Sequence, residues 1–137
     1  MRPAEKLIRA AAFTLLVTII FAIFVGGTQP VAVNLFTPPW DKLVHCLIYG
    51  LMLGLASLTF PKTNLILLTI SIIAIGSLDE IHQIYIPGRS AGLDDLTADA
   101  IGALIAYFAI RWIVSLNKKA HYMNELFISR FSQQLYC

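Results

Sequence analysis

The sequence predicts an all-α polytopic membrane protein, a four-helix transmembrane bundle, on three observations. Hydrophobic residues fill 58% of its 137 positions and charged residues only 13%, against roughly 25% charged in a globular domain, so an aqueous fold would lack polar surface. The apolar residues gather into four stretches, Leu7 to Val25, Leu43 to Phe60, Leu65 to Ile86 and Leu96 to Leu116, each near the roughly 20 residues a bilayer-spanning helix needs. Eight of the ten Lys and Arg residues, all but Lys42 and Arg89, fall at alternate ends of these stretches: Arg2, Lys6 and Arg9, then Lys62, then Arg111, Lys118, Lys119 and Arg130. The positive-inside rule makes those regions cytoplasmic, which places both termini inside.

The first span follows Arg2, Lys6 and Arg9 as a secretory signal would, but Phe24-Val25-Gly26-Gly27 offers no small-x-small cleavage site. A retained helix is expected. The loop from Gly26 to Pro39 carries no charge and is placed outside, with Pro30, Pro38 and Pro39 keeping it extended. Trp40 and Trp112 fit anchors at the two membrane interfaces. Asp41 sits where the N-cap of the second span would fall, near the positive end of that helix. Gly50 and Gly54 form a G-x-x-x-G step, and Ala98, Gly102 and Ala106 put a small residue at every fourth position of the last span. In lipid such rows serve close helix packing. Pro61 and Asn64 bracket a tight inner turn. The third span is interrupted by Asp79, Glu80 and Gln83 after 14 residues, Leu65 to Leu78, so the helix must carry those groups into the membrane edge. Pro87-Gly88-Arg89-Ser90 reads as an outer turn. Beyond the fourth span, Met123, Phe127, Phe131 and Leu135 recur every four residues, the pattern of a short amphipathic helix on the inner surface. The whole chain, residues 1–137, reads as one domain with a motif core at about 40–110 and a tail at about 118–137.

Composition excludes little else. Cys46 lies within a span and Cys137 ends the chain, a spacing that suggests neither a disulfide framework nor a metal pair. The net charge of +2 reflects helix orientation, and no feature points to nucleic acid.

The acids carry the functional argument. Six of the eight acidic residues, Asp41, Asp79, Glu80, Asp94, Asp95 and Asp99, lie at the ends of three spans that this topology places outside. Asp41, His45 and Tyr49 make one i, i+4 stripe; Asp79 and Gln83 make another, with Glu80 three residues before Gln83; Asp95, Asp99 and Gly102 make a third. Facing one another, the stripes would bring His45, Glu80, Arg89 and Asp95 into one pocket. Ionisable groups inside a membrane cost roughly 2.5 to 3.5 kcal/mol or more near its centre, and so are functional by default. Arg89 is expected to pair with Glu80 or Asp95. No cofactor is firmly implied. A hard divalent cation would suit the carboxylates and His45 or His82 would add a transition-metal ligand, but neither an EF-hand nor H-E-x-x-H spacing is present.

The same residues resemble a known family. D-K-L-V-H-C-L-I-Y-G-L at 41–51, D-E-I-H-Q-I-Y-I-P-G-R-S at 79–90 and D-D-L-T-A-D-A-I-G-A at 94–103 are similar, in order and near spacing, to the motifs of the VanZ-like membrane protein family, over roughly residues 40–110. The resemblance implies functional roles for Asp41, Lys42, His45 and Tyr49, for Glu80, Gln83, Pro87, Gly88 and Arg89, and for Asp95 and Gly102. Where the family commonly has Asn, this chain has Asp99, which adds an ionisable group. The family's namesake is associated with resistance to the glycopeptide teicoplanin, which implies a cell-envelope role in a bacterial plasma membrane.

Three readings follow. In the first, an outward-facing site binds or modifies an envelope lipid or glycopeptide-related ligand with a polar or phosphorylated head: Asp41, Lys42, Tyr49, Asp79, Gln83, Arg89, Asp95 and Asp99 bind it, and His45 and Glu80 are the candidate catalytic acid–base groups. In the second, the protein is a non-catalytic membrane scaffold or partner whose polar cluster locks helix ends together. In the third it is a small proton-coupled transporter, for which four spans would need to oligomerise. The absence of G-x-S-x-G or a phosphate-cradling loop leaves enzymatic activity undecided.

Overall fold

The computed structural model describes residues 2–29, 39–89 and 91–135, with side chains as far as residue 124. Expectations for Pro30, Pro38, Ser90 and Cys137, and for the side chains of Phe127, Phe131 and Leu135, fall outside the described residues. The elements are α1 (Pro3–Phe24), a 3-10 turn (Gly26–Thr28), α2 (Trp40–Thr59), α3 (Leu65–Gln83) and α4 (Leu93–Leu135), with no strand among the described residues. Four helices are long and apolar enough to cross a membrane. The protein is therefore an all-helical membrane protein.

The helices outrun their apolar stretches where acids occupy first turns. α2 starts at Trp40 and holds Asp41 in its first turn; α4 starts at Leu93 and holds Asp94 and Asp95 there. Carboxylates complement the positive helix end without needing to cap it. The N-cap of α2 is Pro39, with no side-chain cap, so Asp41 is one residue inside the helix rather than its cap. At the opposite end of the spans the inner turn is well specified: Thr63 N donates to Phe60 O at 3.0 Å, and Asn64 caps α3, accepting from Ile66 N at 2.9 Å. Pro87 and Gly88 make the other turn. Arg89 N donates to Ile86 O at 3.1 Å, and Gly88 has φ 84°, a left-handed position that favours glycine.

The chain divides into two compact units, residues 1–107 and 108–137. The first contains the core, with Tyr49, Met52, Leu53 and Ala56 of α2, Leu68 and Ile72 of α3, Ala98 and Ala103 of α4, and Ala12 and Leu16 of α1 all buried. Its tightest contact is between backbones. A Cβ at Gly102 would fall 2.0 Å from Cys46 O, and one at Gly50 would fall 3.0 Å from Gly102 O. Only glycine lets α2 and α4 approach this closely. Gly54, the other half of the G-x-x-x-G step, meets nothing within 4 Å, so only its first glycine serves helix packing. Leu47, Leu51, Ile66, Ile70, Ile101 and Ile105 stay exposed, as a lipid solvent allows. The second unit is the remainder of α4, with Trp112, Ile113, Val114 and Leu116 exposed. The tail to Leu135 is helical as part of α4 and not as a separate element.

Candidate functional site

Burying a side chain in lipid leaves its polar atoms only protein partners. Along the spans this is met locally: the hydroxyls of Thr18, Thr59, Thr69, Ser71 and Ser77 each donate to a carbonyl four residues earlier at 2.8–3.1 Å. The acid-bearing ends of α2, α3 and α4 depart from that pattern.

Lys42 is the hub of an upper layer. Its Nζ lies 3.1 Å from Asp41 Oδ2 and 2.7 Å from Asp94 Oδ2, and it pairs with Asp95 Oδ1. These pairs tie the start of α2 to the start of α4. Asp95 is held by Lys42, and Glu80 Oε2 accepts from Gly92 N at 2.7 Å. Arg89 follows the tight turn at Gly88, and its Nη2 lies 3.9 Å from where a Gly27 Cβ would stand.

One turn deeper lies a second layer. His45 Nδ1 is 2.9 Å from Asp99 Oδ1, and Asp99 is wholly buried at 0% exposure. Tyr49 is 1% exposed, with its ring parallel to that of His45 at 6.3 Å between centroids. On α3, Asp79 Oδ2 accepts from Gln83 Nε2 at 3.0 Å, so this buried pair is satisfied within one helix. Glu80 reaches inward: single ligand atoms of His45, Glu80 and Asp99 all lie within 4.8 Å of one another. His82, the other candidate imidazole, instead packs on Phe24 at 5.5 Å. His45 and Glu80 thus meet with Asp99 as the third member, and Asp95 lies in the Lys42 layer.

Several acceptors here are buried and unspent. Asp41 Oδ1, Tyr49 OH, Glu80 Oε1 and Asp99 Oδ2 have no hydrogen-bond partner among the described residues. Of these four residues Glu80 lines an open groove of about 330 Å³ between α3 and α4, with Ser77, Ile81, Ile84, Leu93 and Leu96. Sequence reasoning missed Gly76, where a Cβ would fall 2.8 Å from Asp99 Oδ2 and 3.1 Å from Tyr49 Cε1. The signal was present, because Gly76, Glu80 and Gln83 share one helix face at i, i+4 and i+7.

A family model described as VanZ/LLP1 matches residues 7–114. No curated protein and no solved structure matches the chain. The match reaches back through α1, beyond the motif core at 40–110 on which the resemblance was drawn. The chain belongs to the VanZ/LLP1 family.

Proposed function

We propose that this VanZ/LLP1 membrane protein binds an envelope lipid whose head carries hydrogen-bond donors, such as sugar hydroxyls or an amine, at an outward-facing site in a bacterial plasma membrane with both termini cytoplasmic. The observation that carries this reading is a set of buried acceptors without partners among the described residues, one of whose members, Glu80, lines an apolar groove. Each unmet buried polar atom costs roughly 1 to 3 kcal/mol, which a donor on a ligand would recover. The groove would take the apolar part along Ile81, Ile84 and Leu96, and Glu80, which lines the same groove, would meet the head. Lys42, surrounded by three carboxylates, is a poor phosphate site, so the lipid head is read through hydroxyl or amine donors and not through an anion. His45, with Nδ1 engaged by Asp99, keeps Nε2 as the nitrogen that exchanges a proton with a bound head. A glycopeptide-related ligand presents the same kind of donors, and this is how a teicoplanin-linked role would arise.

The test is mass spectrometry of lipid carried through purification by wild type and by Glu80→Gln. Wild type retains a lipid with a hydroxyl- or amine-bearing head, and Glu80→Gln loses it at an unchanged melting temperature. A specific observation favours one other reading, the scaffold: Lys42 with Asp94 and Asp95, and Glu80 with Gly92 N, join helix ends. Wild type that carries no lipid, with Glu80→Gln losing stability, would establish the scaffold instead.

A further inference from the structure

Two carboxylates and an imidazole from three different helices meet below the Lys42 layer. Asp99 is 0% exposed and Glu80 7%, each with one oxygen that has no partner among the described residues. Lys42 Nζ, the ammonium of the layer above, is shared among Asp41, Asp94 and Asp95. Two buried carboxylates so close together require positive charge to remain ionised. We infer that His45, Glu80 and Asp99 form a binding site for one divalent transition-metal ion of the Zn2+ class.

The donor set selects the ion. One imidazole nitrogen and two carboxylate oxygens match a three-ligand site with an open position, whereas Ca2+ takes about six to eight oxygens and Mg2+ holds most of its shell as water. Imidazole favours Zn2+ and its first-row neighbours. The ligand atoms lie within 4.8 Å of one another, against roughly 3.6 Å between tetrahedral ligands about 2.2 Å from one ion, so binding draws them together by about 1 Å, within the reach of side-chain rotation. The 2.9 Å between His45 Nδ1 and Asp99 Oδ1 is a hydrogen bond, which a bound ion would replace by taking both atoms as ligands. Gly76 keeps the space beside Asp99 Oδ2 clear, because a Cβ there would stand 2.8 Å away. Asp79 is outside the set, its carboxylate engaged by Gln83. The inference shares His45, Glu80 and Asp99 with the head-group reading but does not rest on it, because metal uptake is measured with no lipid added.

The experiment strips the detergent-purified full chain with EDTA, then titrates it with Zn2+ by calorimetry and counts bound metal by plasma emission. Wild type takes up one equivalent per chain and melts at a higher temperature with Zn2+ than without. His45→Gln, Glu80→Gln and Asp99→Asn each weaken uptake at least tenfold, while Glu5→Gln, at the exposed start of α1, leaves it unchanged. Should a site variant fail to fold, wild type loaded with Co2+ decides: a visible d–d spectrum of low coordination number supports the site, and the spectrum of the aqueous ion overturns it. Folded, stripped wild type that takes up no stoichiometric Zn2+ overturns the inference, as does uptake that survives all three substitutions. Lipid retention failing while one Zn2+ still binds would defeat the head-group reading alone.

Discussion

At the scale of single residues, Lys42 and Tyr49 separate holding the site together from serving a ligand. Lys42→Met leaves Asp95, whose side chain is 14% exposed, without its cation, and should destabilise the protein by about 1 to 3 kcal/mol, the range for hydrogen bonds to charged groups. Lys42→Arg should restore most of that, and thermal melting in detergent checks both. Tyr49→Phe should behave oppositely. The hydroxyl is buried without a partner among the described residues, so removing it should leave melting unchanged or raised by up to about 1 kcal/mol, while lipid retention falls. A melting loss of several kcal/mol for Tyr49→Phe would mean that its hydroxyl is satisfied in the ligand-free protein. The sequence put His45, Tyr49, Glu80 and Asp95 forward as candidate site residues from their helical spacing. It could not assign partners, because a stripe fixes which face a residue is on and not how far its neighbour's side chain reaches. Lys42 follows Asp41 directly, off the Asp41, His45, Tyr49 stripe, yet its long flexible stem brings the ammonium back to three carboxylates.

At the scale of elements, the glycines rank the contacts between helices. Gly102→Ala would drive a Cβ to 2.0 Å from a backbone oxygen of α2. Neither backbone can yield without separating the helices, so a cost at or above the roughly 1 to 3 kcal/mol of overpacking is expected. Gly54→Ala meets nothing within 4 Å and should stabilise α2 by up to about 1 kcal/mol through helix propensity. A denaturation series on the two variants checks the contrast, and equal effects would refute it. Gly76→Ala tests the site instead, since its Cβ would press on Asp99 and Tyr49 side chains that can turn aside; lipid retention should fall more than stability does. The four helices were legible because about 20 apolar residues leave few alternatives in a bilayer. Their ends were less so. Apolarity marks where lipid begins, whereas a helix continues while its backbone bonds continue, and α2 and α4 therefore begin three residues before their apolar stretches, at Trp40 and Leu93. The two halves of the G-x-x-x-G step differ for a related reason: a small residue permits close approach, but only the neighbouring helix decides where the approach occurs.

At the scale of the whole molecule, the acidic ends of three spans lie together because helices running up, down and up through a bilayer bring the start of α2, the end of α3 and the start of α4 to one face. Lys and Arg supply the orientation: Arg2, Lys6 and Arg9, Lys62, and Arg111, Lys118 and Lys119 flank the opposite ends of the spans, so the acidic face is expected outside and both termini inside. The check is labelling of intact cells with a membrane-impermeant maleimide, using a Cys46→Ala background so that the thiol within α2 cannot contribute. Cys46 can be replaced because the closest approach of Gly102 is to its backbone, which alanine keeps. Pro39→Cys, just before α2, and Ser90→Cys, just before α4, should label from outside, whereas native Cys137 should label only after the membrane is opened. Lys62→Cys, in the turn between α2 and α3, should follow Cys137. Because one helix separates residue 39 from residue 62, the two must lie on opposite sides if α2 spans the membrane. Labelling of both in intact cells would refute the span itself, and a complete exchange of the two patterns would keep the four spans and invert the protein, turning the acidic site towards the cytoplasm.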